Sequence, residues 1–360
     1  MQAPWLLSLL PLSLALPVME HTVSGVSAGA DMAINHFVAF SGVTTGAGLV
    51  AGAPYGCNIV ESDAAGGDIC GADGSGKPWE TLLARMSLYT RFRAALGLID
   101  PLANLRGKKV YLFSGLFDPA VNREVMNAVR SQLTKFTGPA SVMTDFAVGA
   151  THGWVVDGSL CGPGEPGSES SPCAPCCCSP AELLACEGYD QAGKLLGHLL
   201  GPAINRTYRD FDSLKNLTTN HSADANLLAV PQARYVPAGQ TLKNVGMWHT
   251  GYVYAPKSCR ANPADCFVHV HYHGCVWGVE YTGTDVLLRL GFVKYADAVG
   301  IIIVFPQASS DVDAGGCWDW TGETSTLFDT HYGHQLRTVM SFIADLPNVL
   351  AHGHEESLIV

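Results

Sequence analysis

Ser27 lies within Gly25-Val26-Ser27-Ala28-Gly29, a G-x-S-x-G sequence. A serine hydroxyl becomes a useful nucleophile when a histidine can take its proton and a carboxylate steadies that histidine. The pattern needs its glycines because the serine sits on a strained strand-to-helix turn, where a side chain at either flank would clash. The carboxylate candidate is Asp118, in Ser114-Gly115-Leu116-Phe117-Asp118, and the histidine candidate is His152, in Gly149-Ala150-Thr151-His152-Gly153. Acyl transfer also requires hydrogen-bond donors for the oxyanion. One is the amide after the nucleophile, Ala28, and a second belongs on a loop with a His-Gly pair, found in His271-Tyr272-His273-Gly274-Cys275. Taken singly, each feature has a plainer reading. The glycines could make an ordinary turn, Asp118 could cap a helix, and His152 could be a loop residue.

The elements around these residues decide between the two readings. Residues 18–24 alternate as a strand and 31–40 have helical character, which puts Ser27 at the junction. A short apolar strand over 48–53, a helix over 79–96, a strand over 109–114, a helix over 121–136 and a strand over 141–148 follow. Strands alternating with helices indicate βαβ units and a mostly parallel sheet. Asp118 and His152 then each follow a strand, and the order Ser, Asp, His at successive carboxyl ends is that of an α/β-hydrolase. Residues 162–180 are Pro, Gly, Ser and Cys, including Cys176-Cys177-Cys178, and mark an insertion over about 159–187. Beyond a helix over 180–200, the second half reads as strands at 232–236, 247–255 and 266–273, a helix over 285–299, a strand over 300–305 and a helix over 333–346. In an ordinary α/β-hydrolase the His-Gly strand precedes the nucleophile, whereas here it follows by about 250 residues. Joining the last helix to the strand before Ser27 restores the order. The expected fold is a circularly permuted α/β-hydrolase, its mostly parallel central sheet flanked by helices, with a Cys-rich insertion.

The chain of 360 residues is 48% hydrophobic and 15% charged, the composition of a packed globular body. Its formal net charge of −11 and lack of a basic stripe oppose nucleic-acid or anionic-lipid binding. Twelve cysteines favour an oxidising compartment, and sequons at Asn205, Asn216 and Asn220 agree with secretion. Residues 5–17 are apolar and include the small-x-small triplet Ser13-Leu14-Ala15, so 1–17 reads as a signal peptide, the alternative being a buried N-terminal strand. This leaves one catalytic domain over 18–346 and a tail over 347–360. The expectation is a secreted, extracellular monomer with no membrane span and no cofactor.

The stretch Val23-Ser24-Gly25-Val26-Ser27-Ala28-Gly29-Ala30-Asp31-Met32-Ala33, followed by Ala51-Gly52-Ala53-Pro54-Tyr55-Gly56-Cys57, resembles the start of poly(3-hydroxybutyrate) depolymerases. More narrowly it is similar to their single-domain, permuted type. His273-Gly274-Cys275, Gly300 to Gln307 and Gly316-Cys317-Trp318-Asp319-Trp320 have counterparts there, and the likeness covers roughly 18–158 and 229–346. The resemblance implies a triad of Ser27, Asp118 and His152, an oxyanion hole of the Ala28 and Cys275 amides, and a substrate surface involving Trp318, Trp320 and His273. It implies a polyester or oligoester of hydroxyalkanoate type as substrate. Two departures stand out: Ala28 where a second Ser is common, and the segment Cys161–Cys186 outside the family pattern. Rival readings are a secreted carboxylesterase on small aryl or acetyl esters, and a non-catalytic disulfide-rich binding protein on the same fold.

His269, His271 and His273 alternate along one strand and face one way, as zinc ligands would, but no Cys or Asp spacing completes a site, so no metal is expected. Cysteine spacing suggests local bridges Cys57–Cys70 and Cys259–Cys266, with Cys161 to Cys186 pairing among themselves. Cys275 and Cys317 would then form a tether from the His-Gly loop to the tryptophans. Alternatively, Cys275 is a buried thiol and Cys317 pairs into the insertion.

Overall fold

In the computed structural model, which describes residues 18–61, 68–157, 174–175, 183–186, 188–207, 214 and 223–352, a strand ends just before the candidate nucleophile. This strand, β1 (His21–Val26), is buried along its whole length. It leads through Ser27 into α1 (Ala28–Ala39), a helix buried on nearly every face and packed on β1 and β2 (Thr44–Val50). After α2 (Cys57–Glu61) and α3 (Trp79–Ala95) come β3 (Lys109–Phe113), α4 (Arg123–Thr137) and β4 (Val142–Asp145). Asn122 caps α4 by accepting from the Glu124 amide, and Gly138 ends it with φ 96°. β5 (Trp154–Val156), β6 (Ala174–Pro175) and β7 (Leu183–Ala185) form a small separate sheet, followed by α5 (Gln191–Thr207). α5 lies against β2, where the missing side chain of Gly48 admits Leu195.

The second half supplies β8 (Leu227–Pro231), β9 (Thr250–Tyr254), β10 (Phe267–Tyr272) and β11 (Ile301–Phe305). The main sheet runs β4-β3-β2-β1-β10-β11-β9-β8. β4 through β11 in this order are parallel neighbours, and β9 and β8 complete the sheet antiparallel. Strands of the C-terminal half occupy one side and those of the N-terminal half the other, meeting where β1 pairs with β10. This is an α/β-hydrolase sheet opened ahead of the strand that leads to Ser27. β11, Ile-Ile-Ile-Val-Phe, is buried throughout, as a parallel strand covered on both faces must be. β1 is unusual in burying His21, Thr22 and Ser24, and β10 answers it in register, Thr22 beside His269 and Ser24 beside His271.

Several boundaries differ from the sequence reading. The helix expected from 180 begins at Gln191, because Leu183–Ala185 pairs with β5 and the Asp190 carboxylate caps the helix through the Gly193 amide. The strand expected over 232–236 is a turn at Gln232–Arg234, with the strand just before it. The Gln232 side chain causes the turn, since it is buried and bonded to the carbonyls of Trp248 and Gln307. The helix expected over 285–299 splits at Gly291, φ 86°, into Asp285–Arg289 and Val293–Val299. The expected tail opens as a helix, Leu346–His352, which buries Leu346, Val349 and Leu350. Asn205 falls in α5, while Asn216, Asn220, the candidate signal segment 1–17 and most of the Cys-rich insertion lie outside the described residues. Among the described residues no helix is long and apolar enough to cross a membrane.

Candidate active site

Ser27 adopts φ 57° and ψ −130°, a left-handed conformation that costs a non-glycine residue about 1–3 kcal/mol and persists only where its surroundings impose it. They do so here. The Ser27 amide donates to the Val50 carbonyl at 2.9 Å, and its own carbonyl accepts from Ala30 at 2.7 Å and Asp31 at 3.2 Å, starting α1. A side chain on Gly25 would run into the Gly29 carbonyl, and one on Gly29 into the carbonyls of Tyr272 and His273. Both glycines are therefore required by close approach of backbone.

The same carboxyl edge carries the other two candidates. The Ala51 amide donates to Phe113, that of Ser114 to Asp145, Leu116 to Val148 at 2.8 Å and Phe117 to Ala150 at 3.0 Å. These bonds bind together the loops after β2, β3 and β4. A side chain on Gly115 would strike the carbonyls of Ala150 and Thr151, so glycine lets the two loops touch. Asp118 and His152 meet there: His152 Nδ1 lies 3.0 Å from Asp118 Oδ2 and 3.1 Å from Oδ1. Oδ1 also accepts from the amides of Ala120 and Val121, both at 2.9 Å. The carboxylate is thus buried and oriented by fixed donors, while 13% of the His152 side chain stays exposed.

On the other side of Ser27, a Cβ built on Gly274 would lie 3.5 Å from Ser27 Cβ and 3.3 Å from the Val26 carbonyl. The 273–276 loop therefore passes directly beside the serine. Among the described residues neither the Ala28 nor the Cys275 amide donates to another group. The loop is tied down three times. Cys275 is disulfide-bonded to Cys317, with Cα atoms 4.3 Å apart. The amide of Val276, φ 58°, donates to the Gly315 carbonyl at 2.6 Å. His273 spans the base of the loop, its Nδ1 2.8 Å from the Gly274 carbonyl and its Nε2 accepting from the Ala308 amide at 3.1 Å. Burial draws His273 down to about 4, so the ring is neutral, as an Nε2 acceptor must be.

This geometry reassigns two residues expected at a substrate surface. His273 is buried with both ring nitrogens engaged, which makes it a support of the loop. Trp318 is completely buried, edge-on to Tyr272 at 5.0 Å between ring centroids, and stands behind the wall. Trp320 is half-buried and lines a recess with Asp31, Asn35 and Pro54, next to the first turn of the helix that follows Ser27. His269 and His271 are likewise spoken for, Ser24 Oγ lying 2.8 Å from each and Thr22 Oγ1 2.8 Å from the other His269 nitrogen. The bridges Cys57–Cys70 and Cys259–Cys266 are present, and Cys186 is disulfide-bonded.

Two neighbours escaped the sequence reading. Asp31 is half-buried; burial raises its carboxyl to about 7, although it accepts the Ala53 amide at 2.6 Å. Its place four residues after Ser27, one helical turn on, was the available signal. Trp277 lies behind Gly274, lining an apolar recess with Val286, Leu287, Leu290 and Phe305, and nothing local in the sequence marks it.

No family profile matches the chain. It is 31% identical over 333 residues to a poly(3-hydroxybutyrate) depolymerase of Delftia acidovorans, covering 90% of this chain and 59% of that protein. It is 28% identical over 338 residues to a polyhydroxybutyrate depolymerase of Talaromyces funiculosus, covering 90% of this chain and 88% of that one. The chain therefore spans less than two thirds of the bacterial relative's length. Among solved structures, a serine-to-alanine PHB depolymerase complexed with an R3HB trimer superposes with TM-score 0.72 at 26% identity, covering 93% of this chain and 97% of that one. The PHB depolymerase from Penicillium funiculosum superposes with TM-score 0.68 at 26% identity, covering 92% and 96%.

Proposed function

We propose that this chain, similar over 90% of its length to two poly(3-hydroxybutyrate) depolymerases, is an extracellular serine esterase that hydrolyses poly- or oligo(3-hydroxyalkanoate) ester bonds. Ser27 Oγ attacks the ester carbonyl carbon while His152 takes the hydroxyl proton. Asp118, already oriented by two backbone amides, holds the imidazole and stabilises the imidazolium. The Ala28 and Cys275 amides donate hydrogen bonds to the oxygen as it gains negative charge, helped by the positive end of α1. The carbon–oxygen bond to the leaving hydroxyl breaks as His152 returns the proton. Water, deprotonated by the same histidine, then releases the acid from the acyl-enzyme. The three described disulfides accord with an oxidising location.

The observation that carries this reading is the His152–Asp118 pair on the same sheet edge as a strained Ser27. A fluorophosphonate probe followed by peptide mapping tests it: the label should fall on the peptide containing Ser27. Labelling elsewhere, or none in folded protein, defeats the assignment. Comparing hydroxybutyrate oligomers with p-nitrophenyl acetate as substrates then separates a polyester hydrolase from a general esterase.

A further inference from the structure

The amino end of the sheet, remote from Ser27, holds a cleft of about 460 Å³. β1 is six residues long, so the two ends stand roughly 20 Å apart at ~3.3 Å per residue. The cleft is formed where the turn after α1 meets the start of β3. Its walls include Arg106, Lys108 and Lys109, Asn104 and Ser41, with Glu20 as the single carboxylate. Three cations in one cleft are notable in a chain of net charge −11.

These cations are not used up by the fold. Among the described residues no carboxylate pairs with Arg106 or Lys109, although Lys109 Nζ reaches the Ala140 carbonyl at 3.4 Å. Lys108 points its ammonium at the carbonyls of Ser41 and Thr44. These occupy two of its three N–H donors, and burial lowers its pKa against the opposing pull of Glu20 and Asp100. Asp100 itself is committed elsewhere, accepting the Gly42 amide at 2.6 Å and lying 3.2 Å from His331 Nε2. The independent sign is Ser41. It is completely buried, forms part of the cleft wall, and its hydroxyl has no hydrogen-bond partner among the described residues. A hydroxyl buried without a partner is unfavourable, and an acceptor in the cleft would supply one.

We propose that this cleft binds a small oxyanion, a carboxylate or a phosphate, on Arg106, Lys108 and Lys109, with Ser41 and Asn104 as neutral partners. Guanidinium and ammonium groups supply charge-assisted bonds to such oxygens, and a hydroxyl and an amide suit a hydroxy-acid or a protonated phosphate oxygen. The site is separate from the ester chemistry and does not depend on it.

Isothermal titration of the full chain with sodium phosphate and with sodium 3-hydroxybutyrate, each against sodium chloride at equal ionic strength, tests the proposal. At least one anion should bind saturably at one site per chain. Saturation by phosphate alone identifies an inorganic-anion site; saturation by hydroxybutyrate identifies a site for the released acid. Arg106→Gln, at an exposed position, should weaken binding about 10-fold, the loss of one charge-assisted interaction, and Ser41→Ala several-fold. Hydrolysis of a small ester should stay unchanged in both. No saturable heat above chloride with either anion, or wild-type affinity in both variants, overturns the proposal.

Discussion

The loops that carry Asp118 and His152 meet through backbone hydrogen bonds, from Leu116 to Val148 and from Phe117 to Ala150, and keep Leu116 and Phe117 exposed. The 273–276 loop across Ser27 is held instead by a disulfide, a buried imidazole and a second backbone bond. The difference matches what each side is proposed to do. A histidine that passes a proton between serine and leaving group needs an oriented partner but room to adjust. Amides that receive a developing negative charge work only if they are already in place. The rigid side is therefore the one with crosslinks.

Replacing the group between the two sides should have the largest effect. Ser27→Ala is expected to reduce ester hydrolysis about 10⁴-fold or more with the melting profile intact. Activity above a tenth of wild type would place the nucleophile elsewhere. Next comes the hydrogen-bonded side: Asp118→Asn should lower kcat about 10³–10⁴-fold, because an amide cannot hold the same imidazole tautomer or stabilise its cation. A loss below tenfold would show that Asp118 serves only as a cap for the 120–121 amides.

The crosslinked side gives a smaller kinetic effect and a clear thermodynamic one. Removing the Cys275–Cys317 bridge by a double Cys→Ala substitution opens a loop of 42 residues, worth about 4 kcal/mol in the chain-entropy model. Chemical denaturation should show that loss, with kcat falling about 10–100-fold and KM little changed, since only charge stabilisation in the transition state is relaxed. Unchanged kcat in a destabilised variant would make the bridge purely structural.

The gentlest perturbation is pH. Burial lowers His21 and His273 to about 4, His269 to about 3, and His36 and His271 well below 6.5. Unfolded histidines take protons near 6.5 that these folded ones refuse, so the unfolded state binds more protons between about pH 6.5 and pH 4. Their stabilising contribution is present above 6.5 and lost as the pH falls, by up to about 1.4 kcal/mol per pH unit for each histidine. Asp31, raised to about 7, opposes this over pH 4–7, as do the raised Asp68, Asp297, Glu323, Asp329 and His331, whereas His198 is lowered like the five. Among the groups moved furthest the buried histidines outnumber Asp31. Unfolding free energies at pH 7, 6 and 5 should decline accordingly; equal values at pH 7 and pH 5 would contradict the neutral, buried assignment.

Much of this architecture was legible locally. Gly25 and Gly29 around Ser27, the buried run Ile301–Phe305 and the short cysteine spacings 57–70 and 259–266 each report a constraint satisfied within a few residues or one turn of chain. The alternation of strands and helices likewise determined the parallel sheet, and the order of serine and His-Gly loop determined that the sheet is permuted.

Tertiary structure decided what depends on partners far away in sequence. Trp318 and Trp320 are two residues apart and indistinguishable by type, yet one is sealed against Tyr272, beside a cysteine bonded to Cys275, and the other lines a recess with Asp31 and Pro54. His269, His271 and His273 look like one alternating set. Thr22 and Ser24 on the neighbouring strand claim the first two, and the 274 and 308 backbone claims the third. Periodicity in the sequence reports which face of a strand a side chain occupies; the donors and acceptors waiting on that face come from β1 and from a loop 35 residues on, and only folding brings them there.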